Sequence, residues 1–111
     1  RANLDTGNFL LVNQNPTDAA RSLADLVALV HLKDFRKAGP EDVEHVYHGL
    51  DGEAYTGTVV GEGQVDLPVI VDILQNAGYD GWLSLEYEGG QDPLTIGVPR
   101  SLEAARVLLP K

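Results

Sequence analysis

Cysteine is absent from this chain, which removes disulfides, thiolate nucleophiles and any cysteine-based zinc site. Basic residues are scarce as well: 8 lysines and arginines stand against 17 aspartates and glutamates, a formal net charge of −9. Such a surface repels phosphate backbones and anionic lipid, so the expected partners include no nucleic acid and no membrane. Long apolar runs are missing too. None approaches the ~20 residues needed to cross a bilayer, and no signal peptide is recognisable; the lack of cysteine is what fits the cytoplasmic expectation. What is present is ordinary for a globular protein: 43% hydrophobic and 23% charged residues in a 111-residue chain, enough for one domain with a core. The chain begins with Arg1 directly before a strand-like segment, and this reads as a fragment of a longer chain.

The apolar pattern orders the chain as β-α-β-loop-β-α-β-α. A first short strand falls around Ala2–Asp5. Asn15-Pro16 then supplies an N-cap with proline at the first helical position, and Ala19, Ala20, Leu23, Leu26 and Val27 follow at helical spacing. A second strand at about Ala28–Leu32 is apolar on both sides, as parallel strands buried on both faces are. Residues 35–56 are the least regular and read as a long binding loop or lid, broken by Gly39-Pro40, Gly49 and Asp51-Gly52. Within it, His45-Val46-Tyr47-His48 fits either a short strand or a helical turn. Thr58-Val59-Val60 is a minimal third strand. Asp66 caps a helix whose buried stripe is Leu67, Ile70, Val71, Leu74 and Ala77, with Gly78 as its left-handed stop. Trp82–Glu86 is the last strand, and a final helix starts near Pro99 with Leu102, Ala105, Leu108 and Leu109 facing inward. Strands alternating with helices imply an α/β fold with a parallel sheet. Four strands cannot close a barrel of eight. The expectation is therefore a parallel (β/α) half-barrel, one partial domain over residues 1–111, not a stable monomer in isolation.

Three of the strand-like segments end in a residue able to bind a divalent metal: Asp5, His31 and Glu86. The C-terminal ends of parallel strands are where α/β folds place their chemistry. One imidazole and two carboxylates converging there make an O/N site for a hard or borderline ion. Each residue also has a plainer reading. Asp5 could be a turn former before Gly7, and a lone histidine in an apolar run is usually a hydrogen-bonded core residue. Glu86, after Trp82-Leu83-Ser84-Leu85, is expensive to bury without an ion or partner. Glu88 points to the same side of an extended strand as Glu86 and reads either as a residue supporting that ligand or, preferred, as a solvated rim. His45 and His48 read as surface residues, Trp82 and Tyr79 as core packing, and Gly61-Glu62-Gly63 as a tight turn with Glu62 lining a pocket.

Asp5-Thr6-Gly7-Asn8, Val30-His31-Leu32-Lys33-Asp34, the Gly61–Leu67 segment and Gly78-Tyr79-Asp80-Gly81-Trp82-Leu83-Ser84-Leu85-Glu86, in this order, resemble the C-terminal half of the xylose isomerase-like TIM barrels. That superfamily holds sugar and sugar phosphate isomerases and epimerases, inosose and dehydroshikimate dehydratases, and endonuclease IV. The resemblance implies a barrel running here from the fifth strand to the eighth helix. It also implies a divalent ion (Mn, Mg, Co or Zn) whose last three ligands are Asp5, His31 and Glu86. The first ligand, a glutamate of the fourth strand, is absent here. The implied chemistry is proton transfer beside a carbonyl through an enediolate, with Glu86 as one of two acid/base carboxylates acting on a small sugar substrate.

Two departures narrow the family. A second histidine common three residues after the aspartate is replaced by Asn8, and no Asp-Arg-His-type motif follows Asp34, which speaks against DNA repair. Asn8, Arg36, Lys37 and Glu62 are the expected substrate contacts, Arg36 or Lys37 for a hydroxyl, carboxylate or phosphate. The first functional expectation is thus a metal-dependent sugar or sugar phosphate isomerase/epimerase. Alternatives are a dehydratase of a keto-sugar or keto-cyclitol on the same scaffold and a non-catalytic half-barrel that self-associates. The implied partner is a missing N-terminal half-barrel or a second copy.

Overall fold

A computed structural model of the chain describes residues 1–109, so the last two residues of the expected 1–111 domain lie outside the described residues. Three parallel strands form its centre: β1 (Ala2–Asp5), β2 (Val27–Leu32) and β6 (Leu83–Leu85), in the order β1-β2-β6. Leu4, Val30 and Leu32 are buried in the core, as the unbroken apolar run predicts. The register brings the strand ends level. Asp5 pairs with His31 and Leu32 with Leu85, and the Glu86 N–H donates to the Leu32 carbonyl at 3.0 Å.

The helices cover this sheet largely as the sequence prescribes. In α1 (Pro16–Leu23) the Asn15 side chain accepts from the N–H groups of Thr17 and Asp18 at 2.8 and 3.2 Å. The helix stops earlier than its apolar spacing suggests. Ala24–Leu26 form a 3-10 turn, Leu26 is exposed, and Val27 already belongs to β2. The second helix, α2 (Leu67–Asn76), is capped by Asp66 and buries Leu67, Ile70, Val71 and Leu74, while Ala77 falls on the exposed cap. Each of these large side chains, fully removed from water, contributes about 1.5–3 kcal/mol. In α3 (Val98–Leu108) the inner face differs from the expectation: Leu102 and Leu109 are exposed, and Ser101 is buried with Ala104, Ala105 and Leu108 packed on the core. The cause is a hydrogen bond. The Ser101 hydroxyl accepts from the Val60 N–H at 3.1 Å, turning a polar residue inward and the helix with it. No helix among the described residues is long and apolar enough to cross a membrane.

The segment read as an irregular loop is a second sheet. Strands β3 (Asp34–Lys37), β4 (Val46–His48) and β5 (Ala54–Thr58) pair antiparallel in the order β3-β5-β4. Of the His45–His48 stretch, Val46–His48 is strand, and His45 precedes it in a bend with a left-handed φ of 55°. The minimal strand at 58–60 gives way to β5, which ends at Thr58, while Val59 and Val60 leave the ladder and are buried. The parallel sheet consequently has three strands, with β2 and β6 paired directly. Gly57 of β5 forms a parallel bridge to Gly89 and approaches the Glu88 backbone so closely that a Cβ would overlap it. Trp82, expected in the core, is 82% exposed just before β6, and the Tyr79 hydroxyl donates to its carbonyl at 2.7 Å.

Candidate metal centre

Each residue of the centre stands at the C-terminal end of a parallel strand. Asp5 closes β1. Its Oδ1 accepts from the N–H groups of Gly7 and Asn8 at 3.0 and 2.9 Å, which fixes the carboxylate with Oδ2 turned to the centre. His31 lies near the end of β2, and its Nδ1 is 3.3 Å from Glu86 Oε2. Glu86 follows β6 directly. One ligand atom from each of Asp5, His31 and Glu86 lies within 4.8 Å of the others.

Two oxygen donors and one imidazole suit a divalent ion of the hard to borderline kind. Ligands on one ion at about 2.0–2.2 Å stand at most about 4.4 Å apart, comparable with the 4.8 Å within which these three atoms lie. The donor set fits the metal that the strand-end pattern implies.

Lys33 is the residue that sequence reasoning missed. Only 3% of its side chain is exposed, and Nζ reaches Glu88 Oε1 at 2.7 Å, Asp5 Oδ2 at 3.2 Å and Glu86 Oε1 at 3.3 Å. The ammonium also donates to Asn8 Oδ1 at 3.3 Å and lies 5.8 Å from the centre of the Phe35 ring. Its backbone is held from both sides by Thr6, whose hydroxyl donates to the Lys33 carbonyl at 2.7 Å and accepts from the Lys33 N–H at 2.9 Å. The signal was the two-residue period of an extended strand, which puts Lys33 on the side of His31 as it puts Glu88 on the side of Glu86.

The electrostatics follow from this packing. Burial pulls the Lys33 ammonium down, and the Glu88 and Asp5 carboxylates more than offset it, so its pKa is raised. Burial, and then the hydrogen bond with Glu88, push Glu86 up. Burial acts against Glu88 too, but bonds from Lys33, Glu86 and Tyr47 hold it below the ordinary value. Two adjacent glutamates are thereby split, one inclined to take a proton and one to remain a carboxylate. Glu88 is not the solvated rim that its position suggested.

The next residue, Asp34, turns to the other face. It is buried and accepts from the N–H groups of Gly61, Gly63 and Val65 at 3.0, 3.0 and 3.1 Å, clamping the turn before α2. Burial pushes its carboxyl up against the opposing pull of those donors. At Gly63 a side chain would collide with Asp34 and the Phe35 carbonyl.

Of the expected substrate contacts, Asn8 is brought to the centre through Lys33. Arg36 is held by Asp42 through two 2.9 Å hydrogen bonds, and Glu62 by Arg100 at 2.7 Å. Both pairs line a separate cleft of about 410 Å³ with Thr58 and Tyr87. Lys37 is exposed, 3.9 Å from Glu53. His45 and His48 are exposed.

The comparisons with known proteins agree with this architecture. Residues 1–109 match the family model described as a xylose isomerase-like TIM barrel. The chain is 34% identical over 94 residues to an inosose dehydratase of Lacticaseibacillus casei, the match covering 80% of this chain and 30% of the relative. It is 35% identical over 96 residues to an inosose dehydratase of Clostridium botulinum (strain Eklund 17B / Type B), with the same coverage, 80% and 30%. Among solved structures, a xylose isomerase domain protein from Planctomyces limnophilus superposes with a TM-score of 0.68 at 25% identity, covering 94% of this chain and 33% of that one. The chain thus spans about a third of the length of these relatives. On the family model's match over nearly every residue, the chain belongs to the xylose isomerase-like TIM barrel family.

Proposed function

We propose that this chain forms the metal-holding part of a barrel enzyme that moves a proton at the carbon beside a carbonyl of a small polyhydroxylated substrate. The observation that carries the reading is the convergence of Asp5, His31 and Glu86 at three strand ends. These residues would hold a divalent ion (Mn, Mg, Co or Zn), and when bound the ion supplies Lewis-acid polarisation of the substrate's oxygens. Glu86, facing the centre from the end of β6, would accept the proton. Lys33 pairs with Glu88, and Asn8 offers a side-chain amide at the rim of the same centre.

Dehydration of a keto-cyclitol or keto-sugar is the outcome we favour, because the relatives named above are inosose dehydratases. The C–H proton passes to Glu86, the electron pair of that bond forms the new C=C bond as the C–O bond at the neighbouring carbon breaks, and the departing hydroxyl takes the proton from Glu86 and leaves as water, returning Glu86 to its carboxylate. An isomerase or epimerase differs only in the return of a proton to carbon, and the shared scaffold keeps it as the second reading. A half-barrel leaves substrate walls to be supplied from elsewhere, by a further segment of a longer chain or by a second copy.

Product mass separates the two readings, since dehydration removes one water and isomerisation leaves the mass unchanged. Metal content tests the shared premise. His31→Ala should abolish divalent metal binding, and an unchanged stoichiometry would sink the assignment.

A further inference from the structure

The carboxylates assigned to a divalent ion are already neutralised by another cation. Lys33 Nζ rests 3.2 Å from Asp5 Oδ2 and 3.3 Å from Glu86 Oε1, two of the three groups in the ligand set. An ammonium and a divalent ion cannot both lie against these oxygens, because like charges this close repel strongly in a half-buried site. A second berth for the ammonium is on hand. Glu88 Oε1 is its shortest contact at 2.7 Å, Asn8 Oδ1 accepts from it at 3.3 Å, and neither belongs to the ligand set.

Resting on the metal reading above, we propose that Lys33 is a built-in competitor for the metal centre. The ammonium holds Asp5 and Glu86 together while no divalent ion is bound. When one binds, Lys33 keeps its proton and its bonds to Glu88 and Asn8 and gives up the other two. The arrangement explains why a lysine should be buried among the groups that bind a cation: the empty centre would otherwise leave its carboxylates to repel one another. Metal affinity is then set by the exchange between the two cations rather than by the donor set alone. Lys33 is a positioning residue, and Glu88 is the counter-charge that draws it aside.

Titration of the full chain with Mn2+, followed by calorimetry, tests this directly. Lys33→Met removes the competitor and should bind Mn2+ about tenfold tighter or more, as expected for loss of a nearby positive charge. Glu88→Gln leaves the ammonium nowhere better to go and should bind more weakly. In the Lys33→Met background the Glu88→Gln effect should shrink, because the two residues act through one exchange. Equal or weaker binding by a Lys33→Met chain that keeps the wild-type circular dichroism overturns the proposal. A wild-type chain that takes up no Mn2+ overturns the metal reading itself.

Should Lys33→Met fail to fold, Mg2+ added to the wild-type chain provides the same decision by NMR. The His31 ring and the Lys33 side-chain nitrogen should shift together and saturate at one concentration. Movement of His31 alone overturns the competition, and movement of neither overturns the metal reading.

Discussion

Asp34 and Lys33 are neighbours in sequence and opposite in role, and both depend on burial. The Asp34 carboxylate answers three backbone N–H groups of one turn, so Asp34→Ala leaves buried donors without acceptors. Urea unfolding should show a loss of about 2–4 kcal/mol, the cost expected when buried donors go unpaired. A loss within 0.5 kcal/mol, roughly the scale of a surface substitution, would mean that water serves these amides equally well. At this scale the sequence was partly legible. Asp5, His31 and Glu86 stood out because each ends an apolar run, where a polar group needs a reason. Lys33 did not, because a lysine at a strand end usually reaches water. Only the three carboxylates around it, from β1 and the segment after β6, make its burial tolerable, and those contacts are set by tertiary structure.

The antiparallel sheet shows where element prediction failed. Strands of three to five residues, interrupted by glycines and paired across a turn, carry too little periodicity to be recognised singly. The helices had better signals, caps at Asn15 and Asp66 and a glycine stop at Gly78, which mark the starts of α1 and α2; α3 runs on from an unforeseen π-helical turn, Pro93–Gly97, capped by Asp92, and its inner face differs because a serine faces inward. The connection leaving β3 is latched by Asp42, which accepts from Arg36 and, at 2.7 Å, from the Gly39 N–H. These bonds, that to Arg36 foremost, lower the Asp42 pKa from 3.8 to about 2. A carboxyl depressed in the folded state stabilises above its unfolded value and loses that contribution as pH falls through its folded one. The latch should therefore hold at pH 4 and open toward pH 2, with the Asp42 carboxyl carbon titrating near 2 by NMR. A midpoint near 3.8 would show that the latch is absent in solution.

Across the whole molecule, the sheet order leaves β1 and β6 as its two edges, with Trp82 exposed beside the latter. Open parallel edges next to apolar side chains favour association. We expect the chain to sediment above its monomer mass of 12.0 kDa, with the tryptophan emission moving to shorter wavelength as concentration rises. A single 12.0 kDa species at every concentration would refute this expectation. The family and the half-barrel plan were legible at this scale because four motifs occur in order. The number of strands was not, since Val59 and Val60 have strand-like side chains but are buried without joining the ladder.

The alternation at His31, Lys33 and Asp34 also limits how this gene can change length. One residue inserted or deleted between Leu32 and Asp34 would flip every later side chain of that strand to the opposite face. Deleting Lys33 would bring an anion, Asp34, into the cluster at the strand ends, and inserting a residue before Lys33 would bring that cation to the amides of the Gly61–Val65 turn. Both compartments would fail together from a single codon. The exposed tip around Leu50–Glu53 carries no such constraint, so length variation among natural homologues should collect there and be missing from the six residues His31–Arg36.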